Sequence, residues 1–186
     1  MYVSRLLLST ALLWATEAVA RGRKPVSHIE TCYEGESTSL HCYSGQDDTP
    51  QIVDVNDVAA VAKALRDYGR EVQGGRFFTM TAENAPDCAE WDIYNHETVL
   101  ALAKHIDSKK NSSVLLEDIA RTIDGGSASD DDKKKAIVGC LSSGGSLGVL
   151  VNETNPSYHS HEYEKSGYTT EGIVIKIVSN VRKVDL

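Results

Sequence analysis

The chain has 186 residues, 27 of them acidic and 19 basic, so its formal net charge at pH 7 is −8. This acidic balance, without any long basic block, argues against binding to nucleic acid or to an anionic membrane surface. A chain of this length can bury a real hydrophobic core.

The first 20 residues have the layout of a secretory signal peptide. Arg5 supplies the positive charge, the apolar run LLLSTALLWA follows, and Ala18-Val19-Ala20 fits a cleavage site. The run is too short to span a bilayer, and no later segment is longer. We therefore expect cleavage near Arg21, a secreted extracellular protein and no membrane insertion.

Four cysteines follow this leader, namely Cys32, Cys42, Cys88 and Cys140. An even number of cysteines in an oxidising compartment is typical of disulfides, and these spacings match no zinc-ligand pattern. We expect two disulfides. Either Cys32 and Cys42 form a local bridge and leave Cys88 with Cys140, or the N-terminal arm (residues 21–54) is tied to the body through Cys88 and Cys140.

Secretion also gives meaning to two N-glycosylation sequons, Asn111-Ser-Ser and Asn152-Glu-Thr. Asn111 follows DSKK in a predicted loop and is expected to be the better acceptor.

The body, residues 55–186, alternates between helical and extended patterns. Helices are predicted at 55–69 (capped by Asn56 or Asp57), 96–106, 112–126 and 130–141, and strands at 75–82, 87–94, 142–152 and 172–184. The last strand is rich in β-branched residues and is expected to be central in a sheet. Residues 155–171 are predicted to form a long, polar, tyrosine-rich loop. Together with the arm, these elements predict a single α+β domain with helices packed on a mostly antiparallel sheet.

Two motifs resemble catalytic signatures but lack the required context. The stretch NHETVLALAKHID suggests a zinc protease, yet His96 and His105 are nine residues apart and would lie on opposite sides of a helix. Gly144–Gly148 has the letters of a nucleophile elbow around Ser146, but it precedes a strand instead of following one. The same order argues against a phosphate-binding loop. We expect no metal, no cofactor and no catalytic residue at either place.

The densest polar cluster is YHSHEYE at 158–164. In an extended chain His159 and His161 would point to the same side, and Tyr158 and Tyr163 would flank a ligand or partner surface. With His41 brought close by a disulfide, these histidines suggest a small nuclease-like hydrolase as the alternative function. A carbohydrate-binding module would depend largely on Trp91, which is better explained as a core residue.

Eight segments carry a resemblance to known proteins: TCYEG, HCYSG, DCAEW, LAKHI, LLEDIARTIDGG, GCL, LGVLVNETNPSY and GIVIKIV. With the leader and the paired cysteines, the chain resembles small secreted effectors of filamentous fungi. Within these it is similar to the cooperating-effector group that contains the fifth "secreted in xylem" protein of Fusarium and a paired avirulence protein of Leptosphaeria.

The resemblance implies a non-enzymatic virulence or avirulence factor. Such a protein acts by associating with a second secreted effector, as a heterodimer, and with host proteins during plant colonisation, with later entry into host cells. The resemblance assigns Cys32, Cys42, Cys88 and Cys140 to disulfides and no residue to catalysis. We expect the partner surface to include Tyr158, His159, His161, Tyr163 and Tyr168.

Overall fold

The computed structural model describes residues 36–86, 89–126 and 129–180. Its strands are β1 (His41–Cys42), β2 (Phe77–Met80), β3 (Glu90–His96), β4 (Val99–His105), β5 (Ser112–Leu115), β6 (Gly145–Gly148) and β7 (Ile173–Ser179). Its α-helices are α1 (Val55–Arg70), α2 (Leu116–Asp124), α3 (Asp130–Lys134) and α4 (His161–Ser166). Two 3-10 helices cover Ile137–Ser143 and Pro156–His159.

The strands form two antiparallel sheets. The larger has the order β1-β6-β7-β4-β3, and the smaller pairs β2 with β5. The predicted C-terminal strand is confirmed as β7, which is central because β4 and β6 pair with its two edges. The α+β class, the single domain and the antiparallel sheet are therefore confirmed.

Helices α1 and α2 cover one face of the larger sheet. Alternate residues of β7, Ile173, Ile175 and Ile177, point into this core, where Val58 and Val61 of α1 are also buried. Helix α1 confirms the helix predicted at 55–69, but the predicted cap is wrong. Asn56 and Asp57 lie inside the helix, and the N-cap is Asp54, whose carboxylate accepts a hydrogen bond from Asn56 N at 2.7 Å.

The predicted helix at 96–106 is wrong, because this segment is half of a β-hairpin. Strands β3 and β4 join through Glu97 and Thr98, and Glu97 has a φ of 42° that suits a tight turn. The turn is attached to α1, because Thr98 N and Oγ1 donate to Asp57 Oδ2 at 3.2 and 2.6 Å. The zinc-helix geometry considered from the sequence therefore does not arise.

Three further predictions need correction. Residues 112–126 begin as strand β5 and become helix α2 only at Leu116. The segment 130–141 is predicted to be one helix, but it contains only the short helix α3 (Asp130–Lys134), followed by the 3-10 helix that begins at Ile137. Residues 155–171 are not an open loop, since they contain a 3-10 helix and α4, both started by side-chain caps from Asn155 and Ser160.

One disulfide is present in the described residues, between Cys42 of β1 and Cys140, 98 residues apart. It excludes the local Cys32–Cys42 bridge with its Cys88–Cys140 complement and ties the N-terminal arm to the body. The predicted second disulfide falls on Cys32 and Cys88, which lie outside the described residues, as does the predicted signal peptide at 1–20. Among the helices described, none is both long and apolar enough to cross a membrane.

Candidate functional site

The residues predicted to form a partner surface around positions 158–168 are not exposed together on one surface. Tyr158 and Tyr163 are only 5% and 9% exposed and pack with Phe77 and Leu115 in a small second core. Tyr168 remains exposed against the Tyr163 ring, with 5.8 Å between centroids. The two buried tyrosines therefore cannot contact a partner while the protein keeps this fold.

Hydrogen bonds explain why these phenols are buried. Tyr158 Oη donates to Asp118 Oδ2 at 2.6 Å and accepts from Leu115 N at 2.8 Å, while Tyr163 Oη donates to the Ser113 carbonyl at 2.7 Å. Burial, together with the hydrogen bond to Asp118, raises the pKa of Tyr158 well above its ordinary value. Burial raises the pKa of Tyr163 to about 12. Both hydroxyl groups therefore make buried hydrogen bonds that stabilise the fold.

The histidines expected to share a site lie in different local structures. His159 ends a 3-10 helix and its Nε2 donates to the Glu153 carbonyl at 2.7 Å, whereas His161 begins α4, so the extended geometry that would align them is absent. His41 Nε2 lies 3.1 Å from Asp48. Within residues 36–86, 89–126 and 129–180, no group of three metal-ligating side chains is assembled. The hydrolase alternative remains a prediction without a formed site.

Ser146 and Trp91 also have structural environments. Ser146 is buried in β6 opposite Lys176, so it is not on an exposed elbow. Trp91 packs edge-on against Phe78 beside the main core, 6.2 Å between ring centroids.

Both sequon asparagines are exposed, and their occupancy remains a prediction. Thr154 Oγ1 donates to Asn152 Oδ1 at 2.8 Å on the surface. Asn111 Oδ1 instead accepts from Ala82 N at 3.0 Å, and the Ser113 hydroxyl of its sequon is buried in β5.

A different surface collects exposed aromatic rings. It is a groove of about 810 Å³ between α1, β2 and β3, which we call the aromatic groove. Its rim carries Tyr68 and Tyr94, 50% and 41% exposed. The other lining residues are mostly apolar: Ala64, Leu65, Phe77, Phe78, Ile93 and Leu116, together with Asp67, Glu71, Arg76 and Asp92.

Local structure positions each rim residue. Tyr68 lies in the last turn of α1, where the Arg76 guanidinium lies 4.2 Å from the centre of its ring. The β3–β4 register shifts between Asp92 and Tyr94, which places a β-bulge at Ile93. Because a bulge re-aims the side chains beside it, Ile93 and Tyr94 both line the groove.

A second depression, of about 460 Å³, is charged instead of apolar. It is lined by Arg66, Arg70 and Arg121, and each guanidinium is already bound to a carboxylate: Asp124, Glu117 and Asp118, respectively. An anion entering this cleft would have to displace its own ion pairs. The aromatic groove is the stronger candidate because tyrosines on an apolar floor are available without such a cost.

Comparison with known proteins identifies no relatives: no protein-family model, no curated protein and no solved structure matches this chain. The aromatic groove is thus assigned from its own geometry. The groove cannot be recognised in the sequence, because Tyr68 and Tyr94 belong to a helix and a strand, 26 residues apart, and no local pattern marks them.

Proposed function

We propose that this chain is a secreted, non-enzymatic interaction protein that binds a second protein through the aromatic groove. Secretion is inferred from the leader at residues 1–20, and an effector role alongside another secreted effector and host proteins is inferred from the resemblance given above. The observation that carries the proposal is the pair of half-exposed tyrosines, Tyr68 and Tyr94, above an apolar floor.

Burial of these rings can supply real binding energy. A tyrosine side chain offers roughly 200 Å², so covering the exposed half of Tyr68 removes about 100 Å² from water and contributes about 2.5 kcal/mol. Truncation of a central tyrosine in an interface commonly costs about 2 kcal/mol or more. Ile52 and Leu141 are also exposed, but neither of them lines the groove.

The test is affinity capture of secreted proteins by the immobilised, oxidised mature protein, with Tyr68→Ala and Tyr94→Ala beside the wild type. Tyr168→Ala is the matched control, because Tyr168 is 37% exposed and lies away from the groove. We expect a stoichiometric partner whose recovery falls about tenfold or more with either groove variant, and is unchanged with the control.

The reverse pattern would move the interface to the originally predicted surface. Loss with Tyr168→Ala or His159→Ala, and no loss with the groove variants, would contradict the aromatic groove as the binding site. Recovery of the protein as a lone monomer would contradict the proposed function itself, and turnover assays with His159 and His161 replaced would then test the hydrolase alternative.

A further inference from the structure

We propose that the aromatic groove accepts an extended, basic segment of the partner, which adds as a strand to the free edge of β3. This inference rests on the proposed function and specifies its binding mode. Strand addition combines main-chain hydrogen bonds for affinity with side-chain pockets for specificity.

Within residues 36–86, 89–126 and 129–180, β3 is a terminal strand of the larger sheet, so no described strand pairs with its outer edge. His105 N donates to the Ala89 carbonyl at 2.9 Å, so the backbone N–H and C=O groups of Ala89 point toward β4. Because antiparallel pairing alternates, the N–H and C=O groups of Glu90 and Asp92 point away from β4. Neither residue has a backbone hydrogen-bond partner on that side among the described residues.

A second free edge borders the same groove. Leu116 N donates to the Arg76 carbonyl at 2.9 Å, so the same alternation directs the backbone groups of Phe77 and Thr79 away from β5. Strands β2 and β3 are not hydrogen bonded to each other, although Phe77 and Phe78 line the groove with β3 residues. The groove thus offers an extended segment an apolar floor and unpaired main-chain groups.

Charge selects the occupant. Lys63 binds Asp67 and Arg76 binds Glu71, but Asp92 is exposed and has no partner within the described residues. Because Lys63 and Arg76 offset the charges of Asp67 and Glu71, Asp92 is the lining carboxylate whose charge stays uncompensated among the described residues, and the whole chain carries −8. A lysine- or arginine-bearing segment would neutralise the charge of Asp92.

The same charges disfavour a second copy of the chain as occupant. Antiparallel pairing of β3 with β3 would set Asp92 against the acidic side chains of an identical strand, and like charges directly opposite are destabilising. Acidic residues and bulges are common devices against edge-to-edge association. Since Lys176 holds Glu90 at 2.8 Å, the uncompensated charge at this edge is that of Asp92.

The first test uses a synthetic ten-residue peptide of alternating valine and lysine, with binding followed by NMR shifts of the β3 amides. The first control is a peptide of alternating valine and glutamate. The other two are valine–lysine peptides with N-methylated backbone amides, one methylated at every odd residue and the other at every even residue. We expect the lysine peptide to bind, the glutamate peptide not to bind, and at least one methylated set to lose binding. No binding by the lysine peptide, or equal binding of the methylated peptides and their parent, would overturn the proposal.

The second test changes the protein at Asp92. Asp92→Pro removes an N–H that β4 does not use, a position where an edge strand tolerates proline, while Asp92→Asn removes only the charge. We expect at least about a tenfold loss of peptide affinity for Asp92→Pro, which loses about one hydrogen bond and also the charge, and a smaller, salt-sensitive loss for Asp92→Asn, which loses the charge alone. Thermal denaturation of both variants shows whether they are folded. If Asp92→Pro is unfolded, the N-methylated peptides test strand addition on the wild-type protein.

Two outcomes separate this inference from the proposed function. A partner that depends on Tyr68 and Tyr94 but ignores Asp92→Pro would overturn strand addition and leave the interaction protein standing. Concentration-dependent dimerisation of the protein alone, strengthened by Asp92→Asn, would assign the edge to a second copy and overturn the basic segment.

Discussion

Tyr158→Phe is the substitution that most directly tests the structural reasoning, because the sequence placed this residue on a partner surface and the structure places it in a core. The change keeps the ring, which packs on Phe77 and Tyr163, and removes only the hydroxyl. That hydroxyl binds two buried groups, the Asp118 carboxylate and the Leu115 N–H.

The expected cost follows from what remains unsatisfied. Leu115 N loses its acceptor inside the protein, which costs about 1–3 kcal/mol. Asp118 loses a charge-assisted bond, also worth about 1.5–3 kcal/mol, but it retains contacts with Asn152 N at 3.2 Å and with Arg121 at 3.4 Å. Because relaxation offsets part of the loss, we expect the free energy of unfolding to fall by about 2–4 kcal/mol.

Urea denaturation measures this change as a lower midpoint at an unchanged slope. Tyr168→Phe is the matched control: Tyr168 is exposed, and we expect a change within about 0.5 kcal/mol. Adding Asp118→Asn should show coupling with Tyr158→Phe in a double-mutant cycle. A Tyr158→Phe protein as stable as the control would refute the buried hydrogen-bond network and restore Tyr158 as a surface residue.

Three further predictions concern stability and covalent structure. Peptide mapping of the oxidised protein should recover Cys42 linked to Cys140 and the two remaining cysteines linked to each other; any other pairing contradicts the fold. Burial alone would raise the pKa of Glu36, but the ion pairs with Lys104 at 2.6 Å and Lys176 at 3.0 Å hold it below its ordinary value. Its stabilisation is therefore present at neutral pH and is lost as the pH falls through the lowered pKa. Glu36→Gln should destabilise at pH 7 and do so progressively less as the pH falls below 4.5, as a series of urea midpoints will show. Because burial raises the pKa of Tyr163 to about 12 from 10.0, stability should decrease between these pH values, and Tyr163→Phe should remove that part of the decrease in thermal melts.

The elements predicted correctly are those whose sequence pattern has one physical explanation. Helix α1 carries apolar residues at helical spacing over four turns, and β7 is rich in β-branched residues, which favour a strand. The hairpin was misread because Val99, Leu100, Leu102 and Ala103 also match a helical stripe. Strand β4 is buried on the face toward the helices and half-covered on the other, so its pattern is a continuous apolar run that does not distinguish strand from helix.

Strand β5 shows a different limit of sequence reasoning. Residues 112–115 precede a helix and their serines resemble a cap, but all four are buried. Thr79 Oγ1 and Ser113 Oγ are hydrogen bonded at 2.7 Å across the β2–β5 pair, and Ser112 Oγ lies 3.2 Å from the buried His105 ring. Both partners belong to other strands, and they satisfy polar groups that would otherwise keep the segment at the surface.

The candidate site could not be predicted for a related reason. Tyr158 and Tyr94 are the same residue type in polar surroundings, and the sequence favoured Tyr158 because histidines flank it. What separates them is a partner 40 residues away: Asp118 binds the Tyr158 hydroxyl, whereas no described residue binds that of Tyr94. An aromatic ring whose polar end is satisfied internally contributes to folding, and a ring left half-exposed above an apolar floor retains its surface for a partner. The edge of β3 beside Tyr94, which no described strand pairs with, adds main-chain groups to that surface, and strand and ring together are the reason we propose this groove as the binding site for a second chain.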